Sequence, residues 1–182
     1  MIATKLLQPD LVLGNTIFNL TPEILNRHQI EGLILDVDET LVPFKQKEAS
    51  AELQQWISEI GRNTPIWLVS NNISQARISD IAKSVNLPFI FAAKKPSRRK
   101  LKQAARAMDL PVERVAMVGD RLFTDVLAGN RLGMFTILVE PMVDPLAVAR
   151  SHPIRDFEIW FSELIGISLV SSLDNVIKNN NS

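Results

Sequence analysis

Gly32-Leu33-Ile34-Leu35-Asp36-Val37-Asp38-Glu39-Thr40 is the stretch from which the fold is read. Gly32 to Leu35 is an apolar run of strand length without alternation, the pattern of a strand covered on both faces. It runs directly into two carboxylates and a hydroxyl. The same figure recurs downstream. Ile66 to Val69 is followed by Ser70-Asn71-Asn72, Phe89 to Phe91 by Lys94-Lys95-Pro96, and Val115 to Val118 by Gly119-Asp120, with Asp125 a little further on. A fifth apolar run spans Phe135 to Val139.

Helical patterns fill the gaps, at Ser50 to Ile60, Ser74 to Val85, Arg98 to Met108 and Phe123 to Leu132. In the first of them Leu53, Trp56, Ile57 and Ile60 recur at i, i+3, i+4 and i+7, one buried stripe of a helix. Strands alternating with helices predict an α/β fold, doubly wound, with a mainly parallel five-stranded sheet and helices on both faces. In such sheets ligands sit beyond the carboxyl ends of the strands. All four polar clusters fall there, and together they hold oxygen ligands for a hard cation and donors for a phosphoryl group.

Composition narrows the alternatives. The chain has 182 residues, 46% of them hydrophobic and 22% charged, far from the low-hydrophobicity, high-charge composition of disordered chains. At this size folding removes roughly 70% of the unfolded chain's surface from water, enough for a core without staples. Twenty basic residues balance 20 acidic ones, so no overall charge favours nucleic acid. There are no cysteines, which excludes thiol catalysis, zinc–thiolate clusters and Fe–S centres. No long unbroken apolar run is present, and Pro9 and Asp10 interrupt the first residues, so a soluble, cytoplasmic protein is expected. His28 and His152 have no ligand-like spacing and read as structural.

Asp36-x-Asp38-x-Thr40, Ser70, Lys95-Pro96 and Gly119-Asp120 with Asp125 resemble the four ordered motifs of the haloacid dehalogenase (HAD) superfamily of phosphatases. Further phrases narrow the likeness: Trp67 to Asn72, Ala93 to Pro96, Gly119 to Asp125, Gly129-Asn130 and Thr136 to Val139. They resemble the YqeG-type subfamily IIIA, which includes mitochondrial phosphatidylglycerophosphate phosphatases. Glu39 departs from it, standing where that subfamily is expected to carry Asn.

The resemblance implies a Rossmann-like fold and Mg²⁺-dependent phosphomonoester hydrolysis. Asp36 is then the nucleophile and Asp38 the acid and base. Lys95 and Ser70 contact the phosphoryl group, with Asn71 beside them. Mg²⁺ falls to Asp36, Asp38 (through its carbonyl) and Asp120, while Asp125 either joins the metal shell or orients Lys95. The implied substrate is phosphatidylglycerophosphate. The same chemistry on a nucleotide, sugar phosphate or phosphoprotein stays open, as does a non-catalytic regulatory module.

Two features bear on the substrate. Thr40 to Trp67 and Asn72 to Lys94 each hold about one helix and its loops, leaving no length for an inserted cap domain, so the site should be open and suit a phosphate carried on something large. Lys94, Lys95, Arg98, Arg99, Lys100 and Lys102 form a run without an acid, and cations in a helix's first turn oppose its dipole. Arg98 and Arg99 are therefore expected to dock an anionic phospholipid headgroup, with at most peripheral membrane contact. The expected domain map is an apolar N-terminal extension over 1–30, a capless phosphatase domain over 31–170, and a flexible tail over 171–182. Within the domain's end a further helix is expected from Phe157 to Ile165.

Overall fold

The computed structural model describes residues 2–142; the expected helix at 157–165, the tail and His152 lie outside the described residues. The chain begins with α1 (Ile2–Leu7), β1 (Leu11–Val12), α2 (Pro22–Arg27) and β2 (Gly32–Leu35). It continues through α3 (Ala51–Ile60), β3 (Ile66–Val69), α4 (Gln75–Ser84) and β4 (Phe89–Ile90). Then come α5 (Arg99–Ala107), β5 (Val115–Gly119), a π-helical turn (Leu122–Val126), α6 (Leu127–Leu132) and β6 (Phe135–Leu138). The strands form one sheet in the order β1-β6-β5-β2-β3-β4, and every pairing is parallel.

Side-chain alternation in the strands builds two cores from one sheet. Leu33 and Leu35 of β2 face a cluster with Leu53 and Ile57 of α3 and Ile78 and Ile81 of α4. Ile34, between them, faces the other way, toward Met117, Leu101, Ala104 and Ala128 under α5 and α6. Leu33, Ile34 and Leu35 are all fully buried, and each such side chain contributes about 1.5–3 kcal/mol relative to exposure. Ser50 and Ser74 start their helices by accepting hydrogen bonds from Leu53 N–H and Arg77 N–H.

The sheet has six strands rather than the expected five. Leu11 and Val12 are too short a run to stand out as a strand, and β6 recruits them by pairing Leu11 with Ile137 and Val12 with Leu138. Side chains that the sequence marked as outside the catalytic motifs hold this segment. Asn130 Nδ2 donates to the carbonyls of Leu6 (2.9 Å) and Gln8 (2.8 Å). Thr136 Oγ1 reaches Asp10 Oδ2 and Asn130 Oδ1, both at 3.0 Å. Trp56 of α3 adds a hydrogen bond from Nε1 to Leu20 O at 2.9 Å.

From β2 the chain winds outward to β3 and β4, then returns to the other flank of β2 as β5 and winds away to β6. The direction of winding therefore reverses between β2 and β5, and a crevice opens at their carboxyl ends. Asp36 and Asp120 are the residues that follow those two strands. No helix among the described residues is long and apolar enough to cross a membrane.

Candidate active site

Asp36 continues the β2 ladder, its N–H donating to Val118 O at 2.9 Å, so its carboxylate projects where the strand ends. Lys95, from the loop after β4, reaches it from the far side of β3. Lys95 Nζ lies 2.6 Å from Asp36 Oδ1, 2.8 Å from Asp125 Oδ1 and 2.9 Å from Val69 O. The lysine is 5% exposed, so its charge depends on these partners, which raise its pKa above the ordinary lysine value despite burial. Asp125 sits on the π-helical turn, 1% exposed, and also accepts a hydrogen bond from Arg121 N–H at 3.3 Å.

That close packing needs a glycine. A Cβ at Gly119 would stand 2.3 Å from Asp125 Oδ2 and 2.6 Å from its Cβ. Only hydrogen at that position lets the Asp125 carboxylate lie against β5 and meet Lys95.

Carboxylate oxygens of Asp36, Asp120 and Asp125 lie within 4.8 Å of one another. Burial pushes Asp36 up to about 6 against the pull of Lys95. Burial, reinforced by the neighbouring carboxylates of Asp125 and Asp36, pushes Asp120 up to about 8. Thr40 Oγ1 donates to Asp120 Oδ1 at 3.0 Å, tying the first loop to β5 rather than closing on itself. Three crowded carboxylates, two of them paired with one buried ammonium and all offering oxygen, form a donor set that fits a hard divalent cation.

Asp38 is held apart from this cluster. Its Oδ1 pairs with Arg77 Nη1, and its Oδ2 accepts from Ser70 Oγ at 3.1 Å and Asn72 Nδ2 at 3.3 Å. Ser70 is fully buried; besides donating to Asp38 it accepts from Asn72 N–H at 2.9 Å. Asn71 and the Lys95 backbone clasp each other, Nδ2 to Lys95 O at 3.0 Å and Lys95 N–H to Oδ1 at 2.6 Å. A cavity of about 150 Å³ lies over these groups, lined by Asp36, Asp38, Asn71, Lys95 and also Phe44, Asn72, Arg121 and Thr124.

The structure thus brings Asp36, Lys95, Asp120 and Asp125 into one cluster, with Asp38, Ser70 and Asn71 alongside. Arg98 and Arg99 stand elsewhere, lining a separate pocket with Lys102 and Arg131. Sequence reasoning missed Arg77 and Arg121. Arg77 occupies the first turn of α4, where a cation is disfavoured by the helix dipole, and that anomaly was its one signal. Arg121 pairs with Glu39 at 2.8 Å, Nη2 to Oε2. Glu39 itself has φ of 64°, the left-handed region that Asn tolerates better than Glu.

The arrangement suits a divalent cation beside a phosphoryl group at the switch point of an α/β sheet. A profile of the HAD-hydrolase-like family matches residues 92–144. The probable phosphatase YqeG of Bacillus subtilis is 38% identical over 139 residues, covering 76% of this chain and 80% of that one. The chloroplastic phosphatidylglycerophosphate phosphatase 1 of Chlamydomonas reinhardtii is 25% identical over 146 residues, 72% of this chain and 54% of that one. A solved structure from Xanthomonas campestris superposes with a TM-score of 0.53 over 92% of this chain and 98% of that one, a likeness of fold at 14% identity. This chain belongs to the haloacid dehalogenase superfamily, in the group of YqeG-type phosphatases.

Proposed function

We propose that the protein is a Mg²⁺-dependent phosphomonoesterase that converts phosphatidylglycerophosphate to phosphatidylglycerol through an aspartyl-phosphate on Asp36. The observation that carries the chemistry is the Lys95–Asp36 contact at 2.6 Å inside the Asp36/Asp120/Asp125 cluster. An ionised carboxylate fixed beside a buried ammonium can attack phosphorus while the ammonium takes charge on the phosphoryl oxygens.

A carboxylate oxygen of Asp36 forms a bond to phosphorus as the P–O bond to the alcohol breaks, and Asp38 gives its proton to the departing alkoxide. Water then attacks the same phosphorus, Asp38 takes its proton, and the acyl-phosphate P–O bond breaks to free inorganic phosphate and Asp36. Asp36, Asp120 and Asp125, with the Asp38 carbonyl, would hold Mg²⁺, which would supply charge screening between the nucleophile and the incoming phosphate. Asn71 and Lys95 serve as anion contacts. Ser70 and Asn72 work from beneath, holding Asp38 toward the substrate, and Arg77 fixes its other oxygen.

Two features support a lipid-borne phosphate. The cavity measures about 150 Å³ and no cap covers it among the described residues, so it encloses little more than the phosphoryl group and the first atoms of its alcohol. Phe44 and Ile73, 63% and 85% exposed, are the exposed large hydrophobics among the described residues. Phe44 lines the cavity and Ile73 adjoins the lining residue Asn72, so two exposed apolar side chains stand on loops that carry cavity residues, where acyl chains and interface would lie. The same placement supports peripheral membrane contact.

The test is phosphate release from phosphatidylglycerophosphate in mixed micelles, with Mg²⁺ or EDTA, for wild type and Asp36→Asn, beside a soluble aryl phosphate. Metal-dependent release from the lipid that is lost in Asp36→Asn is expected. Activity on the aryl phosphate alone would retain the chemistry and overturn the lipid substrate, and inactivity on both would overturn catalysis.

A further inference from the structure

A second pocket opens where the N-terminus of α5 meets the end of α6. Its volume is about 650 Å³, within the usual range for small-molecule sites and well above that of the catalytic cavity, with which it shares no lining residue. Ser97, Arg98, Arg99, Lys102, Arg131 and Leu132 form its wall. Four of these are cations and none is an acid.

The cations are not a casual surface scatter. Arg98 Nη1 donates to Arg131 O at 3.0 Å, and Arg131 Nη1 donates to Pro96 O at 3.3 Å, so two guanidinium groups from different elements are fixed at the rim. Each has five N–H donors and places one in these contacts. Arg99 and Lys102 come from the first turns of α5, whose N-cap residue, Arg98, makes no side-chain cap and whose first turn holds no acid. An uncapped helix N-terminus already attracts anions, and cations gathered on it repel both the dipole and one another. The arrangement is unfavourable when empty and becomes favourable when an anion lies among these groups.

We infer that this pocket is a second, non-catalytic anion site that takes a phosphate-bearing ligand, either free or as a lipid headgroup. The reaction at Asp36 does not use it. Pro96, whose carbonyl receives Arg131, directly follows Lys95, so the ligand would sit on the chain segment that delivers the catalytic lysine. The inference rests on the pocket alone and stands whichever phosphate ester is hydrolysed.

The experiment compares wild type with the double variant Arg99→Gln/Lys102→Gln, which leaves the backbone contacts of Arg98 and Arg131 in place. Calorimetry at low salt in EDTA measures binding of pyrophosphate and of glycerol phosphate, and flotation in EDTA measures binding to phosphatidylglycerol vesicles. Without a cation the catalytic cluster repels anions, so binding in EDTA reports the second pocket. Saturable binding of at least one probe by wild type, weakened at least about tenfold in the variant, is expected, with aryl phosphate turnover unchanged. Sensitivity confined to the soluble probes identifies a free phosphate as the ligand, and sensitivity confined to vesicles identifies a headgroup. Absence of saturable binding to every probe, or equal binding by both proteins, would overturn the inference.

Discussion

Mg²⁺ binding should expel about one proton from the protein at neutral pH. The carboxylates that would hold the ion are pushed up by burial, Asp36 to about 6 and Asp120 to about 8. At pH 7 Asp120 is then about nine-tenths protonated and Asp36 about one-tenth, and a cation binds only the ionised forms. Release should rise to about 1.5 protons at pH 6 and fall to about half a proton at pH 8, and apparent affinity should strengthen about tenfold per pH unit near pH 7. The stability of the metal-free protein has a definite sign. Both folded values lie above the ordinary carboxylate value, so these groups contribute fully at low pH, and their contribution is lost as pH rises through about 6 and then about 8. Metal should therefore raise the Tm more at pH 8 than at pH 6. Titration calorimetry in two buffers of different ionisation enthalpy gives the proton count directly, with Asp120→Asn as the control. Binding at pH 7 with no proton exchange, or with an affinity flat between pH 6 and 8, would refute the reasoning and mean that Lys95 and Arg121 already keep the whole cluster ionised.

Gly119→Ala should abolish turnover while the protein still folds, because the added Cβ falls within 3 Å of Asp125 and drives its carboxylate off Lys95; a wild-type kcat would refute this. Arg77→Met should lower kcat/KM by about 10–100-fold on an alkyl phosphate, whose leaving group needs the Asp38 proton, and far less on 4-nitrophenyl phosphate, whose leaving group does not. Equal losses on both would show that Arg77 serves something other than Asp38. Glu39→Asn exchanges a half-buried ion pair for relief of a left-handed backbone and should leave stability within about 1 kcal/mol of wild type. Glu39→Val loses the pair and puts a branched residue at φ of 64°, costing about 2 kcal/mol by chemical denaturation. Asn130→Ala removes the donor to Leu6 and Gln8 and should cost about 1–3 kcal/mol, read as a loss of protection in the N-terminal segment by hydrogen exchange.

Much of this protein is written locally. The central strands are runs such as Gly32 to Leu35 whose burial on both faces is visible without a partner, and Asp36 and Asp120 follow two such runs directly. What was not legible depends on approach from distant chain. The edge strand β1 is two residues long and exists because β6 offers it a ladder. Arg77 and Asp38 are brought together by the packing of α4, not by spacing, and Glu39 meets Arg121 across the crevice between β2 and β5. The basic run after Lys95 was visible as charge, but only the fold separates it from the cavity over Asp36 and Asp38 and adds Arg131 to it. Helix boundaries followed their capping residues, Ser50 and Ser74. The π-helical turn over Leu122–Val126 interrupts what the sequence reads as an ordinary helix, and it carries Asp125 to Lys95.

The pairing of β1 with β6 joins residues 126 positions apart along the chain, as in the Asp10–Thr136 bond. Contacts that close so large a loop are slow to form, so the N-terminal segment should dock late, onto a sheet whose other strands are already assembled. Until it does, and whenever it lifts away, β6 presents an open ladder to any other strand in reach. The first dozen residues thus act as a seal on that edge, and a chain trimmed of them should keep its Asp36/Asp120/Asp125 cluster while acquiring a tendency to associate edge to edge with its own copies.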